Sequence, residues 1–218
     1  MRWVKFITFA ALITGMVTYA GCGEKAVDKM GFGTLENGTY WNEYLGMSVE
    51  LPNDWHALDD ESRKEMMQAG KKMLAGQDKN LQAQLDASEL TSVNLFAVSK
   101  YPLGSPVPFN PNMACVAEKV SHLPGIKKGS DYLYHAKQLM ERSQLKYVFT
   151  KDICSEKIGG IYFDVQDVEL NIGTLKVKQK YYAAIVRGHA LSFIISSTTK
   201  QDEESLKQIL AVVEFHKP

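Results

Sequence analysis

The chain has 218 residues, 45% of them hydrophobic and 23% charged, with 25 cationic side chains against 25 acidic ones. That length supports one domain with a sizeable core. Balanced charge provides no global field to gather nucleic acid or an anionic membrane, so nucleic acid is not an expected partner.

The first elements form a leader. Arg2 and Lys5 make a basic start, residues 6–19 carry no charge, and Ala20, Gly21 and Cys22 follow. This is the three-part layout of a secretory signal with small residues before the cut. The Ala-Gly-Cys ending resembles the bacterial lipobox, although Tyr19 stands where that motif usually has an aliphatic residue. The resemblance implies diacylglyceryl transfer to Cys22, whose thiolate is the nucleophile, and cleavage just before it. An uncleaved anchor helix is disfavoured, because the charge-free run falls short of the ~20 residues that span a bilayer. Two or more acyl chains at Cys22 would hold the protein stably on a membrane. With Gly23 rather than Asp after the cysteine, a diderm source implies the outer membrane, facing the periplasm. Loss of Arg2 and Lys5 leaves the mature chain acidic by two charges.

Residues 23–38 hold four glycines and no apolar period, and read as a flexible tether. The folded part is expected over 39–218. Met47, Val49 and Leu51 share one face of a strand that Pro52-Asn53-Asp54 ends. Asp59 or Asp60 can cap a helix running to about Leu74, with Met66, Met67, Gly70, Met73 and Leu74 on one side. A second helical stretch carries Leu81, Leu85 and Leu90, and residues 93–98 read as a strand. A Pro/Gly loop over 101–111 leads to a strand at 113–120 and a turn at Pro124-Gly125. Ser130 or Asp131 can cap a helix with Leu133, Ala136, Leu139 and Met140 inward. Strands follow near 146–153, 161–170, 175–187 and 190–198. Thr199 and Asp202 resemble a capping box for a last helix whose buried stripe is Leu206, Ile209, Leu210 and Val213. Tight turns between consecutive strands imply antiparallel pairing, and the spread of helices implies that they cover the sheet. The fold class is therefore α+β, an antiparallel β-sheet flanked by helices.

The hairpin after residue 161 can be specified further. Ile161, Phe163 and Val165 share one parity, and Val168 and Leu170 the other, so a bulge near Gln166 is expected to restore one inward face. A turn over Asn171 to Thr174 pairs Leu170 with Leu175, Glu169 with Lys176, Asp167 with Lys178 and, past the bulge, Asp164 with Lys180. The Lys176, Lys178 and Lys180 stripe then reads as a solvated ladder rather than an anion site.

The opening Tyr40-Trp41-Asn42-Glu43-Tyr44-Leu45-Gly46-Met47-Ser48-Val49-Glu50-Leu51-Pro52-Asn53-Asp54-Trp55 resembles the first hairpin of the Mog/PsbP-like family. The element order afterwards also resembles that α/β/α sandwich: a helix, strands, a central helix, a long hairpin, a strand and a last helix ending near Phe215. The resemblance covers most of residues 39–216. Family members include extrinsic photosystem subunits, a partner of a nuclear transport GTPase and many bacterial lipoproteins. It implies a binding or assembly module rather than an enzyme, and transfers no catalytic residues.

Chemistry-bearing residues are sparse. His56, His122, His135, His189 and His216 show no metal-ligand spacing, and neither a G-x-S-x-G, a Walker nor a dinucleotide motif occurs. No catalytic residue, cofactor or metal is therefore expected. The acidic run Asp59-Asp60-Glu61 suits a helix start, and Gly159-Gly160 a turn. Cys115 and Cys154 are compatible with a disulfide or with two buried free thiols, and their spacing is not CxxC. Met66, Met67 and Met73, together with the loop around 101–112, are the first place to seek a protein or small apolar partner. Two function classes follow: a lipid-anchored cell-envelope binding or assembly module, and, as the alternative, a hydrolase-type envelope enzyme without a recognisable motif.

Overall fold

A computed structural model describes residues 30–216, which hold twelve strands and four helices. The strands are β1 (Thr34–Glu36), β2 (Thr39–Asn42), β3 (Met47–Glu50), β4 (His56–Ala57), β5 (Ser92–Ser99), β6 (Asn112–Lys119), β7 (Tyr147–Phe149), β8 (Cys154–Ile158), β9 (Ile161–Ile172), β10 (Leu175–Val186), β11 (His189–Ser197) and β12 (Val213–Phe215). The helices are α1 (Asp60–Ala75), α2 (Lys79–Glu89), α3 (Gly129–Arg142) and α4 (Lys200–Ala211). Their order along the chain follows the Mog/PsbP-like resemblance except that two helices precede β5 and that the last helix stops at Ala211, so Val213, expected in its buried stripe, opens β12 instead. An eight-stranded sheet runs β4-β5-β6-β11-β10-β9-β7, with β8 also on β9, and a second, four-stranded sheet runs β1-β2-β3-β12. The fold is α+β, and the strand pairs of both sheets are antiparallel.

The large sheet is buried on both faces. On one, Phe163, Val165, Tyr182, Phe193 and Ile195 pack against Met47 and Val49 of the small sheet and Leu206 and Ile209 of α4. On the other, Val168, Leu170, Tyr181 and Ile194 pack against Leu74, Leu81, Leu85, Leu133 and Met140 of the first three helices. The helices begin where backbone N–H groups find acceptors. Asp59 accepts from Ser62 N–H at α1, and Thr199 Oγ1 from Asp202 N–H at α4. At α3 the first helical residue is Gly129. Asp131 reaches back to accept from Lys127 and Lys128 N–H, while Ser130 N–H goes to Asp164. Gly129 is required there, since a Cβ would lie 1.9 Å from Ala183 O.

Several expectations are corrected. The ordered domain starts before residue 39. Met30 is buried in the core, and β1 pairs with β2, so residues 30–38 are part of the fold; 23–29 lie outside the described residues. The strand expected over 146–153 shrinks to β7, and β8, just beyond it, has no counterpart among the expected strands; the two pair with different halves of β9. Leu90 lies past the end of α2 and is exposed, unlike Leu81 and Leu85. The β9–β10 pairing runs without a bulge from Asp164↔Ala183 to Ile172↔Leu175. The turn is therefore Gly173-Thr174; the pairs expected before the bulge shift by two residues, and Asp164, expected opposite Lys180, lies opposite Ala183, a shift of three.

Candidate functional site

The shifted register sets the charges of the long hairpin. Asp167 stands opposite Lys180 and Glu169 opposite Lys178, on the face toward α4. Lys180 Nζ lies 2.6 Å from Asp167 and 3.9 Å from Glu203, which α4 brings in from its first turn. Lys151, from the segment between β7 and β8, reaches the same Asp167 at 2.7 Å. Glu169 is taken diagonally by Lys176 at 2.9 Å. Lys178 is left as a half-buried ammonium without an ion pair among the described residues, and Ser197 is its cross-strand neighbour on β11. These groups enclose a cavity of about 230 Å³, walled by Lys151, Asp167, Lys178, Lys180, Ser197 and Glu203.

The electrostatics of the pocket fix its charged forms. Burial pushes the Asp167 carboxyl up, but hydrogen bonds from Lys151 and Lys180 outweigh it and hold it below the usual range. The hydrogen bond to Asp167 raises Lys151. Lys207, beside Glu203, is lowered by burial yet raised overall by its bonds to Glu203 and Glu204. Such a set can hold a polar ligand by charge-assisted hydrogen bonds. Lys178 offers an unclaimed cation for an anionic group.

The other residues singled out in the sequence do not gather here. Cys22 lies outside the described residues. Cys115 and Cys154 are both free, one buried and one exposed, so the disulfide weighed from the sequence is not formed. They lie four strands apart on one cross-strand row, Cys115–Phe193–Tyr182–Val165–Cys154. Four strand steps of about 4.8 Å put them ~19 Å apart, whereas a bridge needs Cα atoms within about 7 Å. Burial also pushes the Cys115 thiol up, away from reactivity. His189 meets the ring of Tyr44, His216 meets Trp41 and Ser48, and His135 meets Tyr134 on α3, while His56 is exposed on β4 and His122 on the turn after β6. Met66 packs with Leu58, Ala97 and Ala114 as core, while Met67 and Met73 are half-buried. The loop over 101–111 is closed by Asn110, which accepts from Tyr101 N–H and donates to Tyr101 O. Among the described residues, no group of three or more His, Cys, Asp or Glu could hold a metal ion, and no helix is long and apolar enough to cross a membrane. Lys151, Ser197 and Glu203 were not singled out as site residues in the sequence. The one local signal is the lysine stripe Lys176, Lys178 and Lys180, which the expected register matches with three acids and the observed one with only Asp167 and Glu169.

No protein-family model matches the chain, and no curated protein matches it in sequence. Among solved structures it is similar to the cyanobacterial PsbP protein of Synechocystis sp. PCC 6803, at 13% identity and TM-score 0.49, over 90% of this chain and 98% of that one. It is also similar to LpqN of Mycobacterium tuberculosis, a protein involved in cell envelope biogenesis, at 12% identity and TM-score 0.43, over 77% and 82%. A third, PA94 of Pseudomonas aeruginosa, is a protein of unknown function, at 16% identity and TM-score 0.40, over 56% and 82%. These are likenesses of fold.

Proposed function

We propose that this chain is an exported, lipid-anchored envelope protein that works by binding, and that its ligand is a small molecule bearing a carboxylate or phosphate. The leader ending at Cys22 supports the anchor. One observation carries the binding reading: Lys178 lines the cavity as a half-buried ammonium without an ion pair among the described residues, while Lys151, Asp167 and Lys180 hold one another as ions. Acid–base catalysis works best with a group poised near the operating pH, whereas recognition works best with fixed charges. Lys178 meets the anionic group, Ser197 adds a hydroxyl, and Glu203 and Asp167 hold Lys180 in place. The ligand is thus polar rather than the apolar partner expected from the methionines.

The test is thermal unfolding of the purified full chain with acetate, glutamate or inorganic phosphate. A ligand at a hundred times its Kd raises stability by about 2.7 kcal/mol. Lys178→Gln removes that shift and leaves the unliganded midpoint in place. Turnover of an ester or phosphoester that disappears in both Lys178→Gln and Asp167→Asn would overturn the binding reading in favour of a hydrolase.

A further inference from the structure

We propose that the end of the domain carrying Lys119, Lys127, Lys128 and Arg187 seats on the phosphate layer of a phospholipid membrane, with the pocket turned to the aqueous side. The inference rests on the reading of Cys22 as the lipidated residue and adds an orientation to it.

The path of the chain identifies this end. Met30 O accepts from Asn42 Nδ2, and Asn42 Oδ1 accepts from Leu45 N–H to close the β2–β3 turn. Tyr44, in that turn, donates to Arg187 O, sets its ring 5.5 Å from His189, and lies under the Arg187 guanidinium. The chain therefore enters the domain beside the β10–β11 turn. In that turn Arg187 and Gly188 have φ of 48° and 77°. Val120 N–H bonds Gly188 O, which brings in the end of β6, where Lys119 stands opposite His189. The loop after Val120 is folded on itself by Leu123 N–H to Val120 O and Ile126 N–H to Leu123 O, and it delivers Lys127 and Lys128.

These four cations share one end of the domain and, like Lys64, Lys72, Lys178 and Lys200, have no ion pair among the described residues. Lys71, Lys100, Lys151, Lys176, Lys180 and Lys207 each have a carboxylate within 4 Å, whereas Lys119, Lys127, Lys128 and Arg187 have none among the described residues. The nearby acids are turned elsewhere: Asp131 accepts from the Lys127 and Lys128 N–H groups and Asp164 from Ser130 N–H, while Glu118 is buried against Tyr132. Glu43 is the exposed acid of this end. His122 is exposed in the same loop, and His189 is buried behind Tyr44. Because Asp131 and Asp164 already serve the start of α3, the anion-seeking groups are the side chains rather than the helix terminus.

Reach and orientation agree. Cys22 precedes Met30 by eight residues, which span at most ~28 Å at about 3.5 Å each. Cations at a phospholipid surface are drawn to it within about a Debye length, ~8–10 Å at ordinary ionic strength. The pocket lies at the other end of the same hairpin. Lys178↔Ser197 is eight residues along β10 from Val186↔His189, or ~26 Å at about 3.3 Å per residue. A domain seated on its basic end therefore holds the pocket away from the lipid.

The experiment uses the full chain, purified with its lipid and reconstituted in phosphatidylethanolamine–phosphatidylglycerol vesicles, and follows lysine acetylation by mass spectrometry. Lys119, Lys127 and Lys128 are expected to react about threefold or more slowly than in detergent micelles, with Lys178 unchanged. The protection should vanish near 1 M salt, where the Debye length is ~3 Å. Lys127→Glu combined with Lys128→Glu should abolish it at an unchanged thermal midpoint. Equal rates for all lysines, or protection of Lys178 instead, would overturn the proposal while an acylated Cys22 mass leaves the anchor standing. If the mass shows Cys22 unmodified, the anchor reading fails. Cosedimentation of that unmodified chain with the same vesicles then decides the basic end by itself: binding lost in the double variant supports it, and no binding overturns it.

Discussion

Replacing Asp167 by Asn removes the charge on which the pocket is built and keeps its shape. Two ion pairs disappear. The one with Lys151 contributes little, because that lysine is 66% exposed and exposed pairs are worth about 0–1 kcal/mol. The one with Lys180 counts for more, since both side chains are only 13–14% exposed and hydrogen bonds to charged groups are worth about 1.5–3 kcal/mol. Lys180 keeps Glu203 at 3.9 Å, which limits the penalty for a stranded cation. The expected loss is about 2 kcal/mol at pH 7, or ~4–8 °C in Tm for a domain of this size. The sign of the pH dependence follows from the depressed carboxyl of Asp167. Its stabilisation is fully present above the unfolded value of about 3.9 and is lost as pH falls through the lower folded value. Differential scanning calorimetry at pH 7 and in strong acid measures both, and a cycle with Lys180→Met isolates the pair. Equal midpoints for the variant and the parent at pH 7, or a gap that persists undiminished in acid, would refute the reasoning.

His189 is buried, and burial together with Lys119 lowers its pKa against the opposing hydrogen bond to Arg187 O. The unfolded chain then binds the proton more readily, so stability should fall as pH drops through about 6.5 and the folded value below it, and His189→Gln should lose that slope in pH-dependent denaturant titrations. Phe163 is fully buried, with its ring 5.5 Å from Phe193 and 6.3 Å from Phe215, where the large sheet meets β12. Phe163→Ala should cost about 3–5 kcal/mol by urea titration, and a loss under 1 kcal/mol would mean that the two sheets do not share this core. Cys22→Ser should accumulate an unprocessed precursor on gels, because a hydroxyl is a poorer nucleophile than a thiolate; normal processing and lipid labelling of the variant would refute lipidation there.

The helices were legible because their signals are local. Asp59 and Thr199 cap as their sequence context predicts, and Leu206, Ile209 and Leu210 form the buried stripe of α4. Of the small second sheet, the β2–β3 hairpin was legible and the outer strands β1 and β12 were not. Its closing strand β12 has three residues and pairs with β3 far back in the chain, a contact with no local trace. Residues 30–38 looked like a tether for a related reason: their glycines hide that Met30 fills the core and that Phe32 O accepts from Tyr40 OH. The pocket draws Lys151, Asp167, Lys178, Ser197 and Glu203 from five separate segments, so a reading along the chain sees charges and not their convergence. The pair Cys115 and Cys154 likewise carries no information about the row of strands between them.

The β9–β10 hairpin shows how burial on both faces defeats a parity argument. A strand covered on one side must keep its apolar residues in step, and a change of step then requires a bulge. β9 is covered on both sides. Phe163 and Val165 enter the core beside α4, while Val168 and Leu170 enter the core beneath α1, α2 and α3. The change of parity is therefore a change of which layer is being filled, and the pairing continues unbroken. The turn held the better signal. Gly173 with φ of 62° takes the first position of a two-residue turn, the place where hairpins favour glycine. Counting from Gly173-Thr174 puts Asp167 opposite Lys180 instead of Lys178. That shift seals one lysine into a buried pair and leaves the other, Lys178, free at the pocket. The same count predicts that moving the glycine, by Gly173→Thr with Thr174→Gly, weakens the turn and loosens the Asp167–Lys180 pair, which hydrogen exchange along β10 would register as faster exchange spreading from Leu175.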